Sequence, residues 1–484
     1  MRNSILLPFD TFEALEEGEV VSLRSATLAP PSTFQERLAS ILGERSQRLA
    51  RLSSPLIQPK MEGVKVLSTY QEEPKKRSYQ DFVAFFNSRY YALEKILRNR
   101  QELSGVISIG RVAGKKDREN VAIIGIISSK STTKNGNIIL KLEDPTGEIN
   151  VLFSLKRVDM FALAKDLVLD EVIGITGQFS ESPESKGKWV MANNVLFPDI
   201  PLTKELKKSP EEGYAIFLSD LHIGSKEFLE ENFIKMIKWI AGELGSESQK
   251  DIAKRIKYVF IAGDLVEGIG IYQGQENSLA IRDIFKQYDR CAELLSNIPD
   301  HIPLVICPGN HDALRITEPQ PALYKDFSKA MWDLKNVYLL SNPCMVNIDS
   351  SDVFPGFDVL MYHGYSFDYY AANVDSIRQN GGYDRADLIM KFLLQRRHLA
   401  PTHTSTQYLP DTRRDPLVID KVPDFFLTGH VHRASAAVYR NITMVSGSCW
   451  QDMTPFQEKV GHNPEPCRVF ALDLQSRVVK ILRF

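Results

Sequence analysis

Apolar positions along the chain change period twice, and the changes divide it. Near the N-terminus Ser32 and Gln35 fit a capping box, and Phe34, Leu38, Ile41 and Leu42 then recur at helical spacing, predicting a small helical unit over residues 1–43. Residues 44–60 carry arginines, serines and two prolines without periodicity and are expected to be a linker. Val64-Lys65-Val66-Leu67 is a short strand signal, followed by a polar break holding Lys75-Lys76-Arg77. A helix comes next, with Phe82, Phe85, Phe86, Tyr90, Leu93, Ile96 and Leu97 on one stripe. That stripe is expected to be core. Arg89, Lys95, Arg98 and Arg100 lie off it and are expected to be a solvated face.

From Val121 the period falls to two. Val121-Ala122-Ile123-Ile124-Gly125-Ile126-Ile127 reads as a strand, Lys134-Asn135-Gly136-Asn137 as a hairpin turn, and Ile138-Ile139-Leu140-Lys141-Leu142 as the return. After the Asp144-Pro145-Thr146-Gly147-Glu148 turn comes Ile149-Asn150-Val151-Leu152-Phe153, then a helical connection at 158–167 and two more strands ending near Val195. Three strands, a helix and two strands are the layout of an OB-fold barrel, placed at 117–200 with residues 61–116 as its helical lead-in. Few exposed aromatics are expected on it, so protein docking weighs at least as much as single-strand binding.

From residue 201 onward short, wholly apolar runs alternate with amphipathic stretches, which predicts an α/β domain with its sheet covered by helices. Five of these runs end in polar residues. Tyr214-Ala215-Ile216-Phe217-Leu218 leads to Asp220 and His222, and Tyr258-Val259-Phe260-Ile261-Ala262 to Asp264. Pro303-Leu304-Val305-Ile306-Cys307 leads to Asn310, His311 and Asp312, Val359-Leu360-Met361-Tyr362 to His363, and Phe425-Phe426-Leu427-Thr428 to His430 and His432. A lone Asp or His in a turn is ordinarily a cap or a surface group, the reading given to His301, His398, His403 and His462. Five strand ends in succession are a constellation. Imidazole nitrogens with carboxylate oxygens suit divalent transition ions. The ligands are too many for one ion and right for two, bridged by a carboxylate; such pairs, about 3.5–4 Å apart, activate phosphoryl groups and water.

Composition adds limits. At 484 residues roughly three domains are expected. A net charge of -2 argues against a globally basic nucleic-acid-binding chain, though not against a local patch. Five scattered cysteines without a C-x-x-C pair suggest reduced, buried thiols. Ile5-Leu6-Leu7 is cut off by Pro8 and Asp10, so no signal peptide is read, and no long uncharged apolar run exists. A cytoplasmic protein without membrane contact is expected.

The ordered motifs D-x-H, G-D-L-V, G-N-H-D, H-G and G-H-x-H resemble the calcineurin-like metallophosphoesterase superfamily. The run Gly263 through Tyr272, Asn310-His311-Asp312-Ala313-Leu314-Arg315 with Glu318-Pro319-Gln320-Pro321, and Ser446-Gly447-Ser448-Cys449-Trp450-Gln451 are similar to the small-subunit family of archaeal family D DNA polymerases. The resemblance covers most of the chain but almost nothing of residues 1–60. It implies a phosphoesterase β-sandwich flanked by helices over 201–484. Asp220, His222, Asp264 and His432 would hold one ion, and Asp264 would bridge to a second held by Asn310, His363 and His430. Mn²⁺ is the implied metal, with Mg²⁺, Fe²⁺ and Zn²⁺ as alternatives. His311 would be the general acid or phosphate-stabilising residue, oriented by Asp312, with Arg315 on the substrate. The implied activity is 3′-5′ proofreading within a polymerase. The implied partners are the large catalytic subunit, docked mainly through the OB and phosphoesterase domains, a DNA primer end, and the sliding clamp through the holoenzyme. The alternative is a scaffold subunit with a vestigial site; a free phosphatase would not need the barrel.

Overall fold

The first strand of the computed structural model, β1 (Val64–Thr69), does not lead into the barrel. It pairs antiparallel with the distant strand Cys344–Ile348, Val64 opposite Ile348, and so forms the edge of a sheet in the C-terminal domain. Val64 and Val66 pack into that domain's core. The structure describes residues 61–484 without 62, 73, 183–186 and 411–413; the helical unit expected at 1–43 and the linker at 44–60 lie outside the described residues.

The helix Tyr79–Leu97 starts where the Ser78 N–H donates to Asp81 Oδ2 at 2.6 Å. Its apolar stripe is divided between two bodies. Tyr90, Leu93 and Leu97 pack on Ile124, Ile126 and Val172, whereas Phe85 joins Tyr408, Phe367 and Phe392. Phe82, expected on the core stripe, is 42% exposed. Arg89, expected in solvent, is fully buried, because the second body reaches round the helix. Its Nε lies 2.7 Å from Asp415 Oδ2, its Nη1 donates to the Pro401 carbonyl at 2.7 Å, and its guanidinium stands 4.8 Å from the Tyr408 ring. His398 was expected at the surface, but it is buried too, with Nε2 2.8 Å from the same Asp415 oxygen.

The period-two stretch gives β2 (Asn120–Thr132), β3 (Ile138–Asp144), β4 (Gly147–Phe153), the helix Val158–Asp166, β5 (Val172–Ser182) and β6 (Gly187–Leu196). These strands close a barrel in the order β2-β3-β4-β6-β5. Alternation places Ile123, Leu140, Leu142, Val151, Ile173, Ile175 and Val190 inside.

The C-terminal domain holds β7 (Tyr214–Leu218), β8 (Ile256–Ala262), β9 (Leu304–Cys307), β10 (Val337–Leu339), β11 (Cys344–Ile348), β12 (Phe357–Met361), β13 (Phe425–Thr428), β14 (Ser435–Tyr439), β15 (Ile442–Ser446), β16 (Arg468–Asp473) and β17 (Val479–Arg483). They form two six-stranded sheets, β10-β9-β8-β7-β16-β17 and β1-β11-β12-β13-β15-β14. Strands β7 to β10 run parallel, as do β12, β13 and β15. One cluster joins the sheets: Phe217, Phe260 and Val305 from the first meet Val346, Met361, Phe425 and Leu427 from the second. Each such fully buried side chain contributes about 1.5–3 kcal/mol of transfer free energy. Both faces of these strands are apolar, which is why they read as continuous runs rather than alternating ones. Helices Glu230–Ile240 and Ile284–Leu295 cover the outside of the first sheet, and helix Ala386–Arg396 that of the second. Among the described residues no helix is long and apolar enough to cross a membrane.

Candidate metal centre

The loops after β7, β8, β9, β12 and β13 bring their polar residues to one crevice at the C-terminal ends of the parallel strands, where open α/β sheets place ligands. Asp220, His222, Asp264, His430 and His432 all have left-handed backbone, with φ of 52°, 51°, 50°, 71° and 56°. For a non-glycine residue this costs about 1–2 kcal/mol each, so the surroundings must hold it. They do so by interlocking: the Asp220 N–H donates to the Gly263 carbonyl and the His222 N–H to that of Asp264, each at 3.0 Å. Two glycines make room for the carboxylates. A Cβ on Gly309 would lie 2.2 Å from Asp264 Oδ1, and one on Gly429 2.5 Å from Asp220 Oδ2.

The side chains fall into two adjoining sets. In one, His222 Nε2 is 3.0 Å from His432 Nε2, and His432 Nε2 is 3.5 Å from Asp220 Oδ1. In the other, Asn310 Oδ1 is 3.0 Å from both His363 Nε2 and His430 Nδ1. Asp264 Oδ2 lies between them, 3.3 Å from His363 Nε2 and 3.8 Å from His222 Nε2. All seven expected ligands are thus brought together. Asp220–His222–His432, His222–Asp264–His311 and Asp220–Asp264–His363 each offer three donor atoms within 4.8 Å of one another. Imidazole nitrogen and carboxylate oxygen donors so placed fit divalent transition ions.

The electrostatics follow from burying charges of both signs. Burial pushes the Asp264 carboxyl up, but the imidazoles of His363, His311 and His222 outweigh it and hold the group well below the ordinary carboxylate range. Asp220 is also lowered: burial again opposes, and His432 and His363 prevail. For His363 burial acts downward, while Asp264 and Asp220 carry the imidazole up to about 10. Burial lowers His311.

Comparison with known proteins gives a consistent picture. The family of DNA polymerase alpha/epsilon B subunits matches residues 215–437, and that of the OB-fold nucleic acid binding domain matches 121–197. The DNA polymerase II small subunit of Methanothermobacter thermautotrophicus is 40% identical over 84% of this chain and 79% of its own length. The chain belongs to the DNA polymerase II small-subunit family. The Archaeoglobus fulgidus subunit of that name is 38% identical over 84% of this chain and 77% of its own, and that of Pyrococcus abyssi 40% identical over 83% and 63%. The chain therefore spans less than two thirds of the Pyrococcus relative.

The remaining expected site residues of this family member are placed as follows. His311 donates its backbone N–H to Asp264 Oδ1 at 2.8 Å, and its ring stands edge-on to His222 with centroids 4.7 Å apart. Asp312 was expected to orient that ring, but the contact at His311 Nδ1 is the Glu267 carbonyl at 2.8 Å. The buried Asp312 carboxylate instead accepts the Gly309 N–H at 2.9 Å and the Tyr288 hydroxyl at 3.1 Å, and so braces the turn that carries Asn310. Burial, reinforced by the Asp264 charge, pushes Asp312 up to about 7. Arg315 Nη2 donates to the Pro319 carbonyl at 2.7 Å, and its guanidinium lies 5.7 Å from the Tyr70 ring.

Supporting residues were missed. Glu267 Oε2 is 2.9 Å from His222 Nδ1, the Gln457 amide is 2.9 Å from His432 Nδ1, and Asp368 Oδ1 is 3.1 Å from His430 Nε2. Glu267 stands inside the Gly263–Gly268 motif, so its proximity was readable. Asp368 lies in a helix with no motif around it, and Gln457 closes a Thr454–Gln457 capping box, which signals a helix start and not a partner for His432.

Proposed function

We propose that this chain is the small subunit of a heteromeric archaeal family D DNA polymerase and that its crevice is a two-metal 3′-5′ exonuclease site, in a calcineurin-like phosphoesterase domain, acting on mispaired primer ends. The observation that carries this is Asp264 Oδ2, one buried carboxylate oxygen within 3.8 Å of imidazoles from both ligand sets. Asp220, His222, Asp264 and His432 would hold one ion; Asp264, Asn310, His363 and His430 would hold the other. Mn²⁺ suits this mixed set, and Mg²⁺, Fe²⁺ or Zn²⁺ are alternatives. Such ions, when bound, supply Lewis acidity at a phosphoryl oxygen and a hydroxide near neutral pH.

The chain's own groups do the rest. His311 commits Nδ1–H to the Glu267 carbonyl, so as an acid it acts in its imidazolium form, with the proton for a departing 3′ alkoxide on Nε2. Asp264 holds the His311 backbone N–H, fixing the imidazole beside the ligand sets. Every ligand position is filled, which argues against a vestigial scaffold. A large catalytic subunit would deliver the primer end, because tethering raises effective concentration to about the millimolar range. The clamp would be reached through that holoenzyme, in the cytoplasm.

The test is release of a mispaired 3′ nucleotide by the heteromer, with and without Mn²⁺, using a polymerase-dead large subunit. Asp264→Ala should abolish release while the heteromer still assembles. Turnover near that of the parent protein would overturn the two-metal assignment.

A further inference from the structure

Glu267 touches both halves of the site with two different groups. Its carboxylate, 1% exposed, lies in a ring of donors: His222 Nδ1 and Gln451 Nε2 each at 2.9 Å from Oε2, and Tyr272 Oη and Gln275 Nε2 each at 3.3 Å from Oε1. Its backbone carbonyl accepts from His311 Nδ1 at 2.8 Å and from Gln275 Nε2 at 3.0 Å. The residue itself is fixed, since its N–H donates to the Ile223 carbonyl at 3.0 Å, one residue past His222.

An ionised carboxylate and a carbonyl have only acceptors to offer. Both imidazoles must therefore carry a proton on Nδ1 to make these bonds, which in the neutral ring leaves the lone pair on Nε2. For His222 that atom faces His432 Nε2 at 3.0 Å and Asp264 Oδ2 at 3.8 Å, inside the ligand set.

We propose that Glu267 is the positioning residue that sets the ring orientation and tautomer of both His222 and His311, so that one side chain and its own carbonyl tie the first ligand set to the substrate-facing imidazole. This rests on the metal-site reading of the crevice. Carboxylate–imidazole pairs of this kind raise ligand basicity, and their loss weakens metal binding by about 10–100-fold. Glutamine is the informative replacement, because it keeps the volume but loses the charge and puts an amide donor into the ring: no orientation of it accepts from His222, Gln451, Tyr272 and Gln275 together, so His222 no longer meets a fixed acceptor.

The test uses the full chain with ¹⁵N-labelled histidine. In metal-free protein, long-range ¹H–¹⁵N spectra should show His222 and His311 as Nδ1–H tautomers. Calorimetric titration with Mn²⁺ should show Glu267→Gln binding about 10–100-fold more weakly at the first ion. The Glu267→Gln spectrum should show His222 losing its single tautomer while His311, held by a backbone carbonyl, keeps its own. An Nε2–H tautomer for either ring in the parent protein, or unchanged Mn²⁺ affinity in a folded Glu267→Gln, overturns the proposal. If the variant does not fold, the tautomers of the parent protein still decide. A parent protein that takes up no Mn²⁺ yet shows both Nδ1–H tautomers would remove the metal reading and leave the assignment of Glu267.

Discussion

His311 and Asp312 are sequence neighbours with separate duties. His311 faces the ligand sets; Asp312 faces inward and braces the turn. On the proposed two-metal exonuclease reading, replacing His311 by Ala should lower turnover by roughly 10²–10⁴-fold, the usual worth of a general acid, while two Mn²⁺ still bind. Loss of one ion, read by metal analysis, would reassign His311 as a ligand. Asp312→Asn should act on folding instead, because its amide cannot accept every bond the carboxylate does; a falling melting temperature with kcat retained in the surviving enzyme separates the two roles. That these residues would meet was legible because each follows an apolar run, and strand ends are where side chains of different loops can converge. The bracing duty of Asp312 was not, since a one-dimensional pattern does not say which way a turn residue points. Arg89 and His398 were misplaced for a related reason: a charged type reads as exposed unless its partner, here Asp415, is in view.

At the scale of elements, the helix Tyr79–Leu97 was legible in extent but not in use. Its stripe showed that it packs, not that it packs on two bodies. The consequence centres on Asp415. Burial pushes that carboxyl up, but Arg89 and His398 outweigh it and hold it below the usual range. His398 is lowered to about 4, by burial first and Arg89 next. Its native pKa lies below its unfolded one near 6.5, so the unfolded chain binds the proton more readily between these values. Stability is therefore full above about pH 6.5 and falls toward pH 4, by about 3 kcal/mol from this group. Urea titrations across that window should show a shallower fall for His398→Asn than for the parent protein; identical slopes would sink the assignment. Arg89→Met takes the guanidinium from the buried Asp415 carboxylate, leaving it only the His398 ring and the Leu417 N–H, and should cost up to about 3–5 kcal/mol at neutral pH.

For the whole molecule, the closed barrel appears where two-residue alternation was read. Which distant segments share a sheet was not legible, because pairing across hundreds of residues leaves no local trace; β1 is the example. A chain of residues 61–484 keeps β1, the barrel and both sheets, and should co-purify with the large subunit. If only the full chain co-purifies, the docking surface lies within residues 1–60.

β1 also sets a timetable for synthesis on the ribosome. Val64 leaves the exit tunnel early, but its partner Ile348 emerges about 280 residues later. At about 5–20 residues per second, the strand waits for roughly 15–60 s before its ladder can form. Throughout that interval the barrel, whose strand pairings all lie within residues 120–196, can already close, leaving a short, half-apolar strand tethered upstream of it before its sheet partner exists. A nascent chain stalled before residue 344 would thus carry a finished barrel beside an open strand, the state in which a chaperone has most to bind.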